Sequence, residues 1–150
     1  MLLNPLSHSP VNVMQSAPHV PTILVAEDSA EQRALYVEVL TQAGYRVLEA
    51  GDGIEAIASV QRERPGLVLM DVTMPRTSGW NAVRVLRNDP ATRDIPIIVV
   101  TGLSAPWDRD ASIAAGSDAY LSKPVAPRLL LDEVRKFLRP NPRVGLEDTS

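Results

Sequence analysis

Acidic side chains follow two apolar segments of this chain, and their spacing indicates metal chemistry. Glu27 and Asp28 come directly after the apolar residues 23–26, and Asp71 comes directly after residues 67–70. A single acid in such a place is usually only a helix cap, whereas acids after two separate segments are harder to explain in that way. If the three carboxylates converge, their combined charge requires a cation or protonation. Oxygen ligands alone favour a hard ion, Mg²⁺ or Mn²⁺.

Two further polar residues, Thr101 and Lys123, each come directly after a later apolar segment. Lys123 and Lys136 are the only lysines in a chain that otherwise uses arginine, and a compact ammonium suits a single phosphate or carboxylate oxygen. Taken alone, Lys123 is typical of a solvated surface charge. Its position directly before Pro124, which stiffens the backbone, indicates a placed functional group instead.

The elements that would hold these residues alternate along the chain. Three continuous apolar runs are typical of strands that are buried on both faces of a parallel sheet. These runs are residues 23–26, 67–70 and 97–100. Residues 45–50 alternate in polarity, as an edge strand does, and residues 119–121 predict a fifth short strand.

Helical patterns fill the gaps between the predicted strands. Asp28 or Ser29 caps a helix that runs to Ala43, where Gly44 ends it. The fourth helix, near residues 108–115, is short and weakly patterned. The apolar stripes of the second, third and fifth helices are Ile54, Ile57 and Ala58; Trp80, Val83 and Leu86; and Leu130, Val134, Phe137 and Leu138. Five βα units predict an open, doubly wound α/β sheet, which binds ligands at the carboxyl ends of its strands.

Composition limits the function classes that remain. The formal net charge of -3 gives no basic footprint for nucleic acid, and the 0 cysteines exclude disulfides, thiolate nucleophiles and cysteine zinc sites. No apolar run is long enough to cross a bilayer, so we predict a soluble, cytoplasmic protein without direct nucleic-acid or membrane contact. We predict a disordered leader at residues 1–20, one domain at 21–139 and a flexible tail at 140–150. Met1 and Met14 are both candidates for the true start.

Four groups of residues fall at the predicted strand ends: Glu27-Asp28, Asp71 with Met74-Pro75 and Gly79, Thr101-Gly102, and Lys123-Pro124. In this order and near this spacing, they resemble the signature of response regulator receiver domains, over residues 21–139. Each group is weak alone, but their joint occurrence at four strand ends is specific. The resemblance implies a flavodoxin-like, doubly wound (βα)5 sandwich whose five parallel strands have the order 2-1-3-4-5.

The resemblance also implies a role for each residue. Asp71 accepts a phosphoryl group from a sensor histidine kinase or a histidine phosphotransfer protein, while Lys123 and the Thr101 hydroxyl contact the phosphoryl oxygens. The implied ligands of Mg²⁺, or of Mn²⁺ in its place, are Glu27, Asp28, Asp71 and the backbone carbonyl of Thr73. Such a domain is a signalling module and not an enzyme, because it catalyses only its own aspartyl phosphorylation and dephosphorylation.

By the same resemblance, phosphorylation draws Thr101 inward and lets Tyr120 rotate beside it, although Tyr120 can also be a simple edge-strand aromatic. The rotation changes a face formed by the fourth helix, the fifth strand and the fifth helix, which binds a downstream protein partner. A homodimer is left open. Thr73 and Leu103, two residues after Asp71 and Thr101, offer little to orient an attacking water, and they favour slow autodephosphorylation.

Three functions remain open. The favoured one is a stand-alone phosphorylation switch that binds a partner protein. The second is a phosphorelay intermediate, which uses the same site and differs in its partners and phosphate lifetime. The third, a Mg²⁺-dependent phosphatase of the haloacid dehalogenase type with an aspartate nucleophile, is disfavoured because Thr73 stands where that class needs a second aspartate. A receiver that is part of a longer regulator or hybrid kinase is also left open.

Overall fold

The chain folds into a five-stranded parallel sheet with helices packed on both faces. The computed structural model describes residues 20–72, 79–102, 110 and 113–139. In chain order the elements are β1 (Thr22–Ala26), α1 (Ala30–Gln42), β2 (Arg46–Ala50), α2 (Gly53–Glu63), β3 (Leu67–Asp71), α3 (Gly79–Asn88), β4 (Ile97–Thr101), β5 (Ala119–Ser122) and α4 (Pro127–Phe137). Of the fourth predicted helix, Asp110 and residues 113–115 are described and are helical. The final helix is therefore labelled α4.

The strand order is β2-β1-β3-β4-β5, and every neighbouring pair is parallel. This order confirms the predicted doubly wound α/β fold. Because β1 and β3 are neighbours, their register pairs Ala26 with Met70. The residues that come next, Glu27 and Asp71, therefore lie side by side at the carboxyl edge of the sheet.

The central strands supply apolar side chains to both faces of the sheet. Every residue of β3 and β4 is buried, whereas β2, at the edge, leaves Arg46 and Glu49 exposed. One core cluster joins the sheet to α2 and α3, and the other joins it to α1 and α4. Continuous aliphatic runs thus produce strands that are covered on both sides, as their sequence predicts.

The ends of α1 confirm the predicted caps. Ser29 is the N-cap residue, and its hydroxyl accepts a hydrogen bond from the backbone N–H of Gln32 at 3.3 Å. Gly44 follows the helix with φ 103, a left-handed conformation that glycine adopts without the strain of a Cβ.

The apolar stripe predicted for the second helix is confirmed only at Ile57, which packs against the core cluster of α2 and α3. Ile54 and Ala58 are exposed, because α2 turns a different set of residues towards the sheet. Its buried residues are Gly53, Ala56, Ser59 and Val60. In α4, Leu130 and Val134 are buried as predicted, but Phe137 is exposed since the helix ends there.

Arg87, near the end of α3, ties together the loops at the amino edge of the sheet. It donates to three backbone carbonyls, each at 2.7 Å, those of Gly116, Arg93 and Ile95. Its Nη2 also forms an ion pair with Asp118, whose carboxylate accepts a second hydrogen bond from the backbone N–H of Ile97 at 2.8 Å. One side chain therefore fixes the start of β4 and the segment that leads into β5.

Several predictions fall outside the described residues. These are the leader up to residue 19, the tail from residue 140, and Thr73, Met74-Pro75 and Leu103. Among the helices that are described, none combines the length and the apolar character needed to span a membrane.

Tyr45, just before β2, is linked to the end of the last helix. Its hydroxyl donates a hydrogen bond to the backbone carbonyl of Leu138 at 2.6 Å. Burial raises the pKa of Tyr45 to about 12, although the positive charge of Arg135 acts in the opposite direction. This hydrogen bond fastens α4 to the edge strand.

We expect Tyr45→Phe to lower the free energy of unfolding by about 1 kcal/mol at pH 8, because the Leu138 carbonyl loses its donor. The unfolded tyrosine has a pKa of about 10, and the folded one about 12. Burial of the neutral phenol therefore stabilises the fold fully below about pH 10, and this contribution is lost as the pH rises through the folded value. Urea unfolding should show a smaller difference between the two proteins at pH 11 than at pH 8. An equal difference at both pH values would contradict the expectation.

Candidate functional site

Three carboxylates converge at the carboxyl edge of the sheet, as the sequence predicts. One oxygen from each of Glu27, Asp28 and Asp71 can be chosen so that all three lie within 4.8 Å of one another. Glu27 and Asp71 are almost fully buried, at 1% and 2% exposure, whereas Asp28 is exposed. Glu27 and Asp71 are therefore shielded from solvent by the protein, and solvent reaches the cluster at Asp28.

Lys123 lies between the two buried carboxylates. Its Nζ is 2.9 Å from Glu27 Oε1 and 3.2 Å from Asp71 Oδ2. Its backbone N–H donates to the carbonyl of Thr101 at 2.8 Å, which holds the end of β5 against the end of β4. The lysine thus reaches the site from a fixed backbone position.

The electrostatics of the cluster favour a bound cation. Burial raises the pKa of Glu27, and the charge of Asp71 adds to this, although hydrogen bonds from Lys123 and Ser29 oppose it. Burial alone would lower the pKa of Lys123, but the hydrogen bond to Glu27 and the charges of Asp71 and Glu27 outweigh burial and raise it. Lys123 is therefore a cation at neutral pH. One ammonium against three carboxylates leaves negative charge that a divalent ion would offset.

The ligand atoms also fit Mg²⁺ by their chemistry. The cluster offers carboxylate oxygens from Glu27, Asp28 and Asp71, which are the hard ligands this ion prefers. The exposed carboxylate of Asp28 leaves room for the waters that Mg²⁺ usually retains. The fourth predicted ligand, the carbonyl of Thr73, lies outside the described residues.

All four polar atoms of Glu27 have partners. Its N–H donates to the Ala50 carbonyl at 3.0 Å, and its own carbonyl accepts from Arg33 Nη1 at 2.7 Å. The N–H of Ser29 donates to Oε2 at 3.1 Å, and Lys123 donates to Oε1. Sequence reasoning did not single out Arg33, and an arginine in the first turns of a helix gives no signal of such a contact.

Thr101 and Tyr120, the predicted switch residues, share one face of the sheet. Thr101 is fully buried at the end of β4, and Tyr120 is half-buried on β5. The register pairs Val99 with Tyr120 and Thr101 with Ser122. Since paired residues and alternate residues of parallel strands point to the same face, both side chains lie on the side of α2 and α3. Tyr120 packs against the core cluster there.

Two surface cavities adjoin the final strand and helix. A mostly apolar one of about 210 Å³ lies between α1 and α4, and it is lined by Gln32, Leu35, Tyr36, Val39, Pro124, Val125, Pro127 and Leu130. A more polar one of about 360 Å³ lies beside β5, and it is lined by Ile113, Ser117, Asp118, Ala119, Tyr120, Glu133 and Lys136. The second cavity coincides with the predicted partner face.

We expect Lys123→Met to lower the free energy of unfolding by about 2 kcal/mol at pH 8, because two buried carboxylates lose their cation. Without Lys123 the pKa of Glu27 rises further above 4.5, so the protonated form is favoured in the fold. The stability gained from protonated Glu27 is complete below about pH 4.5, and it is lost as the pH rises through the pKa of Glu27 in the folded variant. Urea unfolding with a chelator present should therefore show a smaller loss at pH 5 than at pH 8.

Lys136→Met is the matched control for this substitution. Lys136 is the other lysine of the chain, and it pairs with Glu133 on the surface of α4. We expect no pH-dependent loss from this variant. If Lys123→Met lost the same stability at both pH values, the repulsion between the buried carboxylates would not be the cause.

Residues 23–135 match the family model described as the response regulator receiver domain. The chain is 36% identical over 118 residues to the phosphate regulon transcriptional regulatory protein PhoB of Pseudomonas aeruginosa. This match covers 79% of this chain and 52% of PhoB. It is 28% identical over 117 residues to the polar-differentiation response regulator DivK of Brucella anthropi, and this match covers 78% of this chain and 95% of DivK. The chain spans about half the length of the curated relatives that it matches at 38% identity.

The fold is also similar to solved structures. The receiver domain of the sensor histidine kinase PA1611 from Pseudomonas aeruginosa, which has a magnesium ion coordinated in its active-site cleft, superposes with a TM-score of 0.74 and 32% identity. The match covers 79% of this chain and 98% of that one. The likeness therefore extends over the whole of that domain.

Proposed function

Because this chain belongs to the response regulator receiver domain family, we propose that Asp71 accepts a phosphoryl group from a histidine kinase or a histidine phosphotransfer protein. The observation that carries the proposal is the convergence of Glu27, Asp28 and Asp71 around the ammonium of Lys123. Receiver domains are signalling domains, and this one acts on its own aspartate. We place the exchange in the cytoplasm, by similarity to the family.

The residues of the cluster divide the chemistry between them. An ionised Asp71 oxygen attacks the phosphorus, the bond from phosphorus to the donor's imidazole nitrogen breaks, and the electron pair leaves with that nitrogen. Glu27, Asp28, Asp71 and the Thr73 carbonyl would hold Mg²⁺, which offsets the repulsion between the aspartate and the phosphoryl group. Lys123 pairs with one phosphoryl oxygen, and the Thr101 hydroxyl donates to another.

Phosphorylation adds about −1.5 to −2 charge at Asp71, and this charge operates the switch. Thr101 moves towards the phosphoryl group, and Tyr120 rotates on the same face of the sheet. The cavity beside β5, which Tyr120 lines, then changes shape, and a downstream protein binds there or is released. A second copy of the chain is an alternative occupant of this face.

The phosphodonor approaches from a different side. Its imidazole has to reach Asp71, and the apolar cavity between α1 and α4 includes Pro124, the residue next to Lys123. We propose that the donor protein packs against this cavity, where Leu35 is exposed and Val39 is half-buried. The donor and the downstream partner would then use separate surfaces.

We assign the receiver domain to residues 21–139, and we favour a phosphorylation switch that binds a partner protein. A phosphorelay intermediate uses the same chemistry, and the lifetime of the phosphate together with a partner screen distinguishes the two. Thr73 and Leu103 favour a long lifetime.

Intact mass measurement tests the proposal. The protein is incubated with acetyl phosphate and Mg²⁺, and one labile phosphoryl adduct is expected. The adduct should be absent when a chelator is present. A chain that binds Mg²⁺ and never forms the adduct, either with acetyl phosphate or with phosphorylated donor proteins, would refute the phosphoacceptor role.

A further inference from the structure

Arg33, on α1, connects the ends of the two strands β1 and β2. Its Nη1 donates to the backbone carbonyl of Glu27 at 2.7 Å, and its Nε forms an ion pair with Glu49 Oε1 at 3.0 Å. Glu49 belongs to β2, where the register pairs it with Val25 of β1. The guanidinium therefore joins the peptide after β1 to the neighbouring edge strand.

The peptide that Arg33 holds is the one between Glu27 and Asp28. Because its carbonyl is fixed, the plane of this peptide is fixed, and with it the direction in which the Asp28 side chain leaves the backbone. The other polar atoms of Glu27 are bound by Ala50, Ser29 and Lys123. Those contacts orient the Glu27 side chain and its N–H. The Arg33 contact instead acts on the peptide group that links Glu27 to Asp28.

We propose that Arg33 is a positioning residue for the cation site, and that Glu49 holds Arg33 in place. Arg33 touches neither the cation nor the phosphoryl group, and it acts through the Glu27 carbonyl. The inference rests on the proposed function, because it assumes that Glu27 and Asp28 are cation ligands. The ion pair is partly exposed, Arg33 at 23% and Glu49 at 52%, and a pair near the surface contributes little to folding. The 2.7 Å hydrogen bond to the Glu27 carbonyl is the observation that assigns Arg33 to the orientation of the two acids.

The sign of the effect separates positioning from simple electrostatics. Arg33 is a positive charge beside the acid cluster, so its removal should strengthen the binding of a dication by Coulomb attraction alone. If Arg33 positions Glu27 and Asp28, its removal should instead weaken binding. Partners that orient metal ligands typically change metal affinity by about 10- to 100-fold, which is enough to exceed a screened surface charge.

Titration of the full chain with Mg²⁺, followed by the amide NMR signals of Asp28 and Ser29, tests this proposal. We expect Arg33→Gln to bind Mg²⁺ about tenfold more weakly than the unsubstituted chain. Arg33→Lys keeps the charge, but an ammonium cannot replace the planar fork that reaches the Glu27 carbonyl and Glu49 together. This variant should bind with intermediate affinity, and it serves as the test if Arg33→Gln fails to fold.

Arg62→Gln is the matched control, because Arg62 forms an exposed pair with Glu63 at the same 3.0 Å and has no part in the acid cluster. Its Mg²⁺ affinity and its thermal unfolding in chelator should equal those of the unsubstituted chain. Binding by both Arg33 variants that is equal to or tighter than normal would overturn the positioning role alone. No Mg²⁺ binding by the unsubstituted chain would overturn the proposed function and this inference with it.

Discussion

Replacing Asp71 by asparagine will abolish the phosphoryl adduct that forms with acetyl phosphate and Mg²⁺. Asparagine has the same shape as aspartate, but its amide offers no ionised oxygen to attack phosphorus. We expect the rate of phosphorylation to fall by more than roughly 10³-fold, as the rates of enzymes do when they lose their nucleophile. Intact mass measured over a time course provides the rate.

The fold should survive this substitution. Asp71 is one of three clustered carboxylates, and Lys123 keeps its 2.9 Å contact with Glu27 when Asp71 is neutral. We therefore expect the free energy of unfolding to stay within about 1 kcal/mol of the normal value. Asp132→Asn, the same chemical change at an exposed position of α4, is the control and should be phosphorylated normally. A stable adduct on Asp71→Asn would move the acceptor to another residue.

Gly79→Ala is expected to have the largest effect on stability. A Cβ at Gly79 would lie 2.9 Å from the carbonyl carbon of Asp71, and closer still to the Asp71 oxygen and to the Cα of Val72. All three atoms belong to the backbone, so α3 would have to move away from the end of β3. We expect a loss of about 3 kcal/mol in urea unfolding. Phosphorylation should also slow, because the displaced backbone carries Asp71.

Gly102→Ala is the matched control for the steric argument. Gly102 also follows a strand of the site, but among the residues that the structure describes a Cβ there would meet no atom within 4 Å. The free energy of unfolding should change by no more than about 0.5 kcal/mol. If the two alanine variants had the same stability, the close approach of α3 to β3 would not explain why glycine occupies position 79.

The sheet and the carboxylate cluster could be predicted from the sequence because each depends on a local pattern. Strands buried on both faces read as continuous aliphatic runs, and residues 67–70 and 97–100 are both fully buried. The carboxyl ends of parallel strands lie at one edge of the sheet, so the acids after β1 and β3 had to meet once the strands were neighbours. The predicted roles of Glu27, Asp28, Asp71 and Lys123 remain predictions.

Other features depend on which side chains meet in three dimensions. Arg33 and Glu49 are separated by 16 positions and Tyr45 and Leu138 by 93, and no periodicity connects such pairs. Two of the three residues predicted for the stripe of α2, Ile54 and Ala58, are exposed for a related reason. Ile54 is apolar, but it lies in the first turn, and the rotation of the helix on the sheet turned Ala56 and Val60 inward instead. Small residues let α2 approach the sheet, and a rule based on large apolar residues overlooks them.

If the cavity beside β5 binds the downstream partner, as proposed, the network around Arg87 limits which residues of that cavity can be varied. Asp118 lines the cavity beside β5. Its carboxylate also forms the ion pair with Arg87 and accepts the hydrogen bond from the first N–H of β4. In a library that randomises the residues of this cavity, we expect most substitutions of Asp118 to destabilise the fold. The side chains of Ile113, Glu133 and Lys136 take no part in the Arg87 contacts described above, so variation there leaves those contacts intact. Variants of this cavity that bind a new partner should therefore carry their changes at those three positions and keep Asp118.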